Sequence, residues 1–346
     1  MAIIDKPTDY FDTKLYTGNG GTQSITGLDF QPDWVWIKDR DGTYKHLLVD
    51  SVRGATKHLS SSSAAVEVTN TANVTSFTSD GFALSSDGNV NANADKYVSW
   101  NWKANGSGSS NTAGSINSTV SANTTSGFSI VKYTGTGGNA TVGHGLGSVP
   151  KMIIVKDLTN AENWEIYSAA LGATKGLYLN ATNAAFTSSE RWNDTSPTNS
   201  VFSVGTAKTN NANNNIIAYC FADVQSFSKF GSYLGNSANN GTFVYTGFTP
   251  ALIIVKRTNS TGNWVMHDNR RSLSNGFNVN QYILYSNTTT DEITDESKVD
   301  LLSNGFKFRN ALTDQNANGS TYIYLAFAEN PFVTSTDNNS IPTTAR

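Results

Sequence analysis

Charge is what this chain has least of. Asp, Glu, Lys and Arg make up 15% of its 346 residues, against about 25% in an ordinary soluble domain. Asn, Ser, Thr and Gly fill the gap, giving a polar but weakly charged surface that suits an extracellular or virion β-protein better than a cytosolic enzyme. A net charge of −3 leaves no basic stripe to release counterions from a phosphate backbone, which argues against a nucleic-acid partner. The only cysteine, Cys220, has no mate for an internal disulfide, and its apolar strand context makes it a small buried residue. No stretch approaches the ~18 apolar residues of a membrane span. The start, Met1-Ala2-Ile3-Ile4-Asp5-Lys6-Pro7, lacks the charged and apolar regions of a signal peptide. No segment reads as a capped amphipathic helix of three turns, so helix is expected to be scarce.

Catalytic signatures are also missing. The four histidines, His46, His58, His144 and His267, have no spacing that puts two on one metal and no local triad partner. Gly143-His144-Gly145-Leu146-Gly147 lacks the lysine of a phosphate loop and precedes a strand, so it reads as a turn. Asp314-Gln315-Asn316-Ala317-Asn318-Gly319 opens like a calcium loop, but Leu325 stands where the closing glutamate belongs. Asn and Asp favour turns in their own right. The run from Asp291 to Glu296 reads as a solvated loop. A glycosidase needs only two carboxylates close in space, and none recurs at an equivalent position of the repeated landmarks described next. No catalytic, cofactor-binding or metal residue is assigned, and the chain reads as a non-enzyme.

What is present is repetition. Pro32-Asp33-Trp34-Val35-Trp36-Ile37-Lys38 recurs as Pro150-Lys151-Met152-Ile153-Ile154-Val155-Lys156 and Pro250-Ala251-Leu252-Ile253-Ile254-Val255-Lys256. Four apolar residues after a proline read as a short strand buried on both faces, with the proline at its start, where a missing N–H costs least. The closing lysine is expected to return the chain to solvent. Tyr16-Thr17-Gly18, Tyr133-Thr134-Gly135 and Tyr233-Leu234-Gly235 precede these strands. Asn91-Ala92-Asn93, Asn211-Ala212-Asn213 and Asn316-Ala317-Asn318 follow, each before another apolar strand. Gly54-Ala55-Thr56-Lys57 returns as Gly172-Ala173-Thr174-Lys175 at the same offset that separates the first two prolines.

Units of roughly 100 residues exceed solenoid repeats and are long enough to hold cores of their own. Short apolar runs punctuated by turn residues predict an all-β chain of three tandem β-sandwich, jelly-roll-like domains. The expected boundaries are a lead-in over 1–13, a first repeat over 14–103, a Gly/Ser/Asn/Thr linker over 104–126, repeats over 127–226 and 227–333, and a polar tail over 334–346. The pairs Trp34/Trp36 and Trp100/Trp102 each share one face of a strand, which suits either a sandwich core or a platform for sugar rings.

Laid out this way, the sequence resembles a group of structural proteins of tailed, especially marine, bacteriophages. The resemblance rests on Met1 to Pro7, Tyr16-Thr17-Gly18-Asn19-Gly20, Phe30 to Lys38, Ser51-Val52-Arg53-Gly54, Lys229 to Tyr233 and Tyr322 to Pro331, and it spans the chain. It carries no residue roles. It implies a virion component of the tail-fibre or receptor-binding apparatus, which a phage releases by lysis without a signal peptide. The expected partners are other virion proteins, a host-surface glycan and further copies of the chain, with a homotrimer the usual fibre assembly. Three repeats in one chain also offer a pseudo-threefold unit. Trp164, Trp192 and Trp264 are candidate sugar-stacking residues, and Ile3, Ile4 and Phe11 are candidate docking residues. The alternative is a purely architectural capsid decoration protein or tail adaptor.

Overall fold

A computed structural model describes residues 3–271, 280–294, 298–336 and 339–342. The chain is all-β: the three α-helices among the described residues, Gly88–Asn91, Ser189–Trp192 and Thr313–Asn316, are single turns. The proline motifs form the strands Trp34–Asp39, Met152–Asp157 and Phe248–Arg257. Each is flanked in its sheet by a strand that closes the same unit and by the strand that follows it.

The same order occurs three times. In the first unit Phe11–Thr17, Lys96–Trp102, Trp34–Asp39, Leu47–Asp50 and Lys57–Leu59 lie side by side, with Val68–Thr69 at the edge. In the second, Phe128–Thr134, Asn215–Phe221, Met152–Asp157, Glu165–Ser168 and Lys175–Tyr178 repeat that order, and in the third Ser228–Leu234, Thr321–Pro331, Phe248–Arg257, Trp264–Asp268 and Leu284–Tyr285 do so. The registers match: Trp36 lies opposite Trp100 as Ile154 lies opposite Tyr219 and Ile254 opposite Leu325. A small sheet covers one face of each main sheet. These are built from Gln23–Ile25, Gly81–Leu84 and Val74–Thr78, from Ala140–Gly143 and Val201–Val204, and from Phe243–Tyr245, Gly305–Phe308 and Val299–Leu302.

Strand alternation explains why the proline strands are buried on both faces. Val35 and Ile37 face their own small sheet, as do Ile153 and Val155, and Ile253 and Val255. Their alternates Trp34, Trp36, Met152, Ile154, Leu252 and Ile254 all enter one cluster common to the three units. Trp34 stacks on Tyr219 at 4.5 Å, and Phe327 meets Trp102 at 5.5 Å and Phe221 at 5.8 Å. The four tryptophans of the first unit are thus core. The expectation of domains strung in a row gives way to three sandwich-like units walled around a shared centre.

Two further expectations change. Residues 104–126 are not a linker: Ser109–Asn111 and Ser118–Asn123 pair with each other and onto Phe128–Thr134, extending the second main sheet. Low charge and β-favouring Thr let a segment that reads as flexible add two strands to a sheet, Ser109–Asn111 being its edge. The lead-in docks on its own molecule. Ile4 and Phe11 are buried in the shared core, with Phe11 stacked on Phe327 at 5.2 Å, and Ile3 is half-buried. In the segment expected to be a polar tail, Val333–Thr336 pairs with Asn339–Pro342.

Candidate functional site

The repeated polar residues build the scaffold. Lys38, Lys156 and Lys256 do not reach solvent; all three are fully buried. Each ammonium donates to the carbonyl of the next residue (Asp39, 2.5 Å; Asp157, 2.7 Å; Arg257, 2.7 Å) and to a second carbonyl, of Gly42, Asn160 or Thr182. Desolvation lowers each lysine to about 8. After the first two lysines, Asp39 and Asp157 accept from backbone N–H groups two and three residues on, closing tight turns.

The tyrosine-glycine and asparagine landmarks meet in space. The Tyr16, Tyr133 and Tyr233 hydroxyls donate to Val90, Thr209 and Gln315 carbonyls. The next residue in each case is a fully buried asparagine, Asn91, Asn210 or Asn316, whose amide staples the loop after the tyrosine strand. In the second unit the staple is Asn210, one residue before the asparagine that the sequence pattern picks out. A Cβ on Gly18, Gly135 or Gly235 would stand 2.0, 2.1 or 2.3 Å from a carbonyl of this loop, which is why the landmark ends in glycine. The side chains of Asn91, Asn210, Asn211 and Asn316 are occupied internally, whereas Asn93, Asn213 and Asn318 are exposed. Among the described residues no three His, Cys, Asp or Glu side chains gather around one point.

The units are joined head to tail by equivalent bonds. Trp164 Nε1 donates to Ser60 O of the first unit (2.9 Å), and Trp264 Nε1 to Tyr178 O of the second (2.8 Å). At the third joint His46 stands in the tryptophan position and its Nε2 meets Tyr285 O at 3.0 Å. Trp36 Nε1 donates to His46 Nδ1, which leaves the proton on Nε2 to be given to Tyr285. Backbone bonds repeat the cycle: Glu67 N to Leu158 O, Ala185 N to Thr258 O and Glu292 N to Arg40 O. Three heterologous contacts that return to the start make a closed ring.

Two joints also bury an ion pair. Asp50 holds Arg53 and accepts from Tyr219 of the second unit at 2.7 Å. Asp268 holds Arg271 and accepts from Trp100 of the first at 3.1 Å. The remaining joint has Ser168, Leu171 and Leu325 at the matching positions. Glu292, expected in a solvated loop, binds both Arg40 and Arg271 at the third joint. Residues 295–297 of that loop lie outside the described residues.

Trp164, Trp192 and Trp264 are therefore placed inside the protein, each at most 1% exposed. Two serve the joints, and Trp192 meets Tyr167 edge-on at 5.7 Å in the second unit's own core. None presents a ring face to a ligand. Cys220 is buried, with its thiol pKa pushed up by desolvation. His144 is fixed by its own turn, accepting from Leu146 N.

Two surface features stand out among the described residues, and sequence patterning marks one of them, Phe243-Val244-Tyr245, only as a strand. One is an aromatic pair on the edge strand of the third small sheet, Phe243 and Tyr245, 43% and 57% exposed and on the same face. Val244 between them pairs with Phe306 as Ile25 pairs with Phe82 and Val142 with Phe202. Their counterparts are thus Ser24 and Thr26 in the first unit, and Thr141 and Gly143 in the second. The strand forms without aromatics in both. The other feature is a cleft of about 360 Å³ beside the His46 joint, lined by Tyr44, Lys45, His58, Val66, Val68 and Asn89 among others. The shared core, by contrast, contains a void of about 10 Å³ with apolar walls. No helix among the described residues is long and apolar enough to cross a membrane.

No curated protein and no solved structure matches the chain. One family model does, over residues 6–331. The chain accordingly belongs to the family described as a domain of unknown function, DUF7483.

Proposed function

We propose that this protein is a non-enzymatic structural component of a tailed-phage virion, presenting its ring of β-sandwich units for adhesion to host-surface glycan. The observation that carries the reading is the exposed Phe243/Tyr245 pair. An aromatic edge that the fold does not require, set on a rigid strand, offers two ring faces for the apolar faces of sugars. Asn236 to Asn240 lie in the loop that leads into this strand, where amides can bond sugar hydroxyls. The buried lysines, asparagines and ion pairs support the non-enzymatic part, because their polar atoms are committed to internal partners.

The architectural alternative gains no surface from the lead-in, since Ile4 and Phe11 pack into the chain's own core. The test is a glycan array probed with the intact chain and with the double variant F243A/Y245A. The expected result is binding that falls at least tenfold in the variant while its urea unfolding midpoint stays put, because both rings are exposed. Retained binding, or no binding by the parent chain, contradicts the adhesin reading.

A further inference from the structure

The cleft at the joint of the third and first units exists where the ring departs from its own rule. Trp164 and Trp264 fill the equivalent position at the other two joints, whereas the smaller His46 lines this cleft. Its volume of about 360 Å³ falls in the range of sites for small ligands, about 300–1,000 Å³. One wall comes from another unit, through Thr289.

The lining has a definite chemistry. Among the described residues, Lys45 is its one charged side chain and no carboxylate lines it. Tyr44 is 39% exposed and Val68 43%, so an aromatic ring and a β-branched side chain offer apolar area at the mouth. The half-buried His58 gives its Nδ1 proton to Asn73, which in turn donates to Asp87, leaving Nε2 as the imidazole's remaining polar atom. Asn89 adds an amide, held on one side by Asp87. A ligand fitting this set has one apolar face, several hydroxyls and a single negative charge.

We propose that this cleft binds an acidic monosaccharide unit, a pyranose carrying a carboxylate, with Lys45 facing the carboxylate and Tyr44 and Val68 facing the ring. The inference rests on the glycan-adhesin reading and deepens it with a second subsite separate from the Phe243/Tyr245 edge. Methyl β-D-glucuronide and methyl β-D-glucoside differ at the carboxylate, and titration of each into the intact chain by NMR tests the assignment. The glucuronide is expected to bind about three- to fivefold more tightly than the glucoside, the ratio an exposed charge pair supports. K45Q is expected to erase that ratio. H46W, which copies the residue at the other two joints, is expected to abolish binding of both. Equal affinities in the parent chain, an unchanged ratio in K45Q, or undiminished binding in H46W would overturn the proposal. If the glucuronide does not bind while array glycans still depend on Phe243 and Tyr245, the cleft assignment falls and the adhesin reading stands.

Discussion

Three lysines at one repeated position are fully buried. Each follows Trp36, Ile154 or Ile254 on the same face of its strand, and its ammonium turns into a cage of carbonyls. Burial disfavours the charge and lowers each lysine to about 8, from 10.5 in the unfolded chain. The sign follows from linkage. Between these values the unfolded chain keeps a proton that the folded chain has released, so stability rises with pH. From pH 8 to pH 9 the gain is about 1 kcal/mol per lysine. Cys220, raised by burial, opposes it only above the ordinary thiol value. Urea midpoints across that interval should therefore climb, and Lys256→Met should remove about a third of the climb. A flat profile in the parent chain would show that the ammonium groups remain charged inside the fold.

The proline, tyrosine, glycine and asparagine landmarks were readable because each answers a local demand: a strand start (in the third unit a bulge, since Pro250 lies inside Phe248–Arg257), a hydroxyl to cap a loop, a position without room for Cβ, an amide to staple a turn. The lysine was misread because a charged residue that closes an apolar run usually marks a return to solvent, and its buried acceptors come from the following turn or, for Lys256, also from Thr182 of the second unit.

At the scale of elements, the all-β assignment and the proline strands followed from short apolar runs between turn residues. The joints did not, because they pair residues far apart in sequence whose chemistry differs from unit to unit. Trp164, Trp264 and His46 share a position but not a residue type, and the indoles that looked available to ligands are donors to a neighbouring unit. The strands within 104–126 were hidden by a composition that fits a linker equally well.

The joints themselves supply an experiment. Removing Arg53 leaves Asp50 buried and half-paired, which should cost about 3–5 kcal/mol. The second unit solves the same position with Ser168 and Leu171. The double change D50S/R53L copies that solution and should be less destabilising than R53L alone, as read from urea denaturation midpoints. A double variant as unstable as the single one would mean that the joints are not interchangeable.

At the scale of the whole molecule, each main sheet is covered on one side by its own small sheet and on the other by its two companion units. The shared cluster draws Trp34 and Trp102 from the first, Tyr219 and Phe221 from the second and Leu325 and Phe327 from the third. A unit cut free would expose that face to water, a large apolar area that no separate domain tolerates well. The ring also closes within one chain, so its pseudo-threefold arrangement is supplied by three units of a single polypeptide.

The claim on which all of this depends is that the three units form one cooperative ring and not three independent domains. Hydrogen exchange across a urea series on the intact chain tests it most directly. The closing strands Lys96–Trp102, Asn215–Phe221 and Thr321–Pro331 carry the shared core and should lose their slowest-exchanging amides at a single urea concentration. Loss of protection in one unit while the other two stay closed would contradict the account.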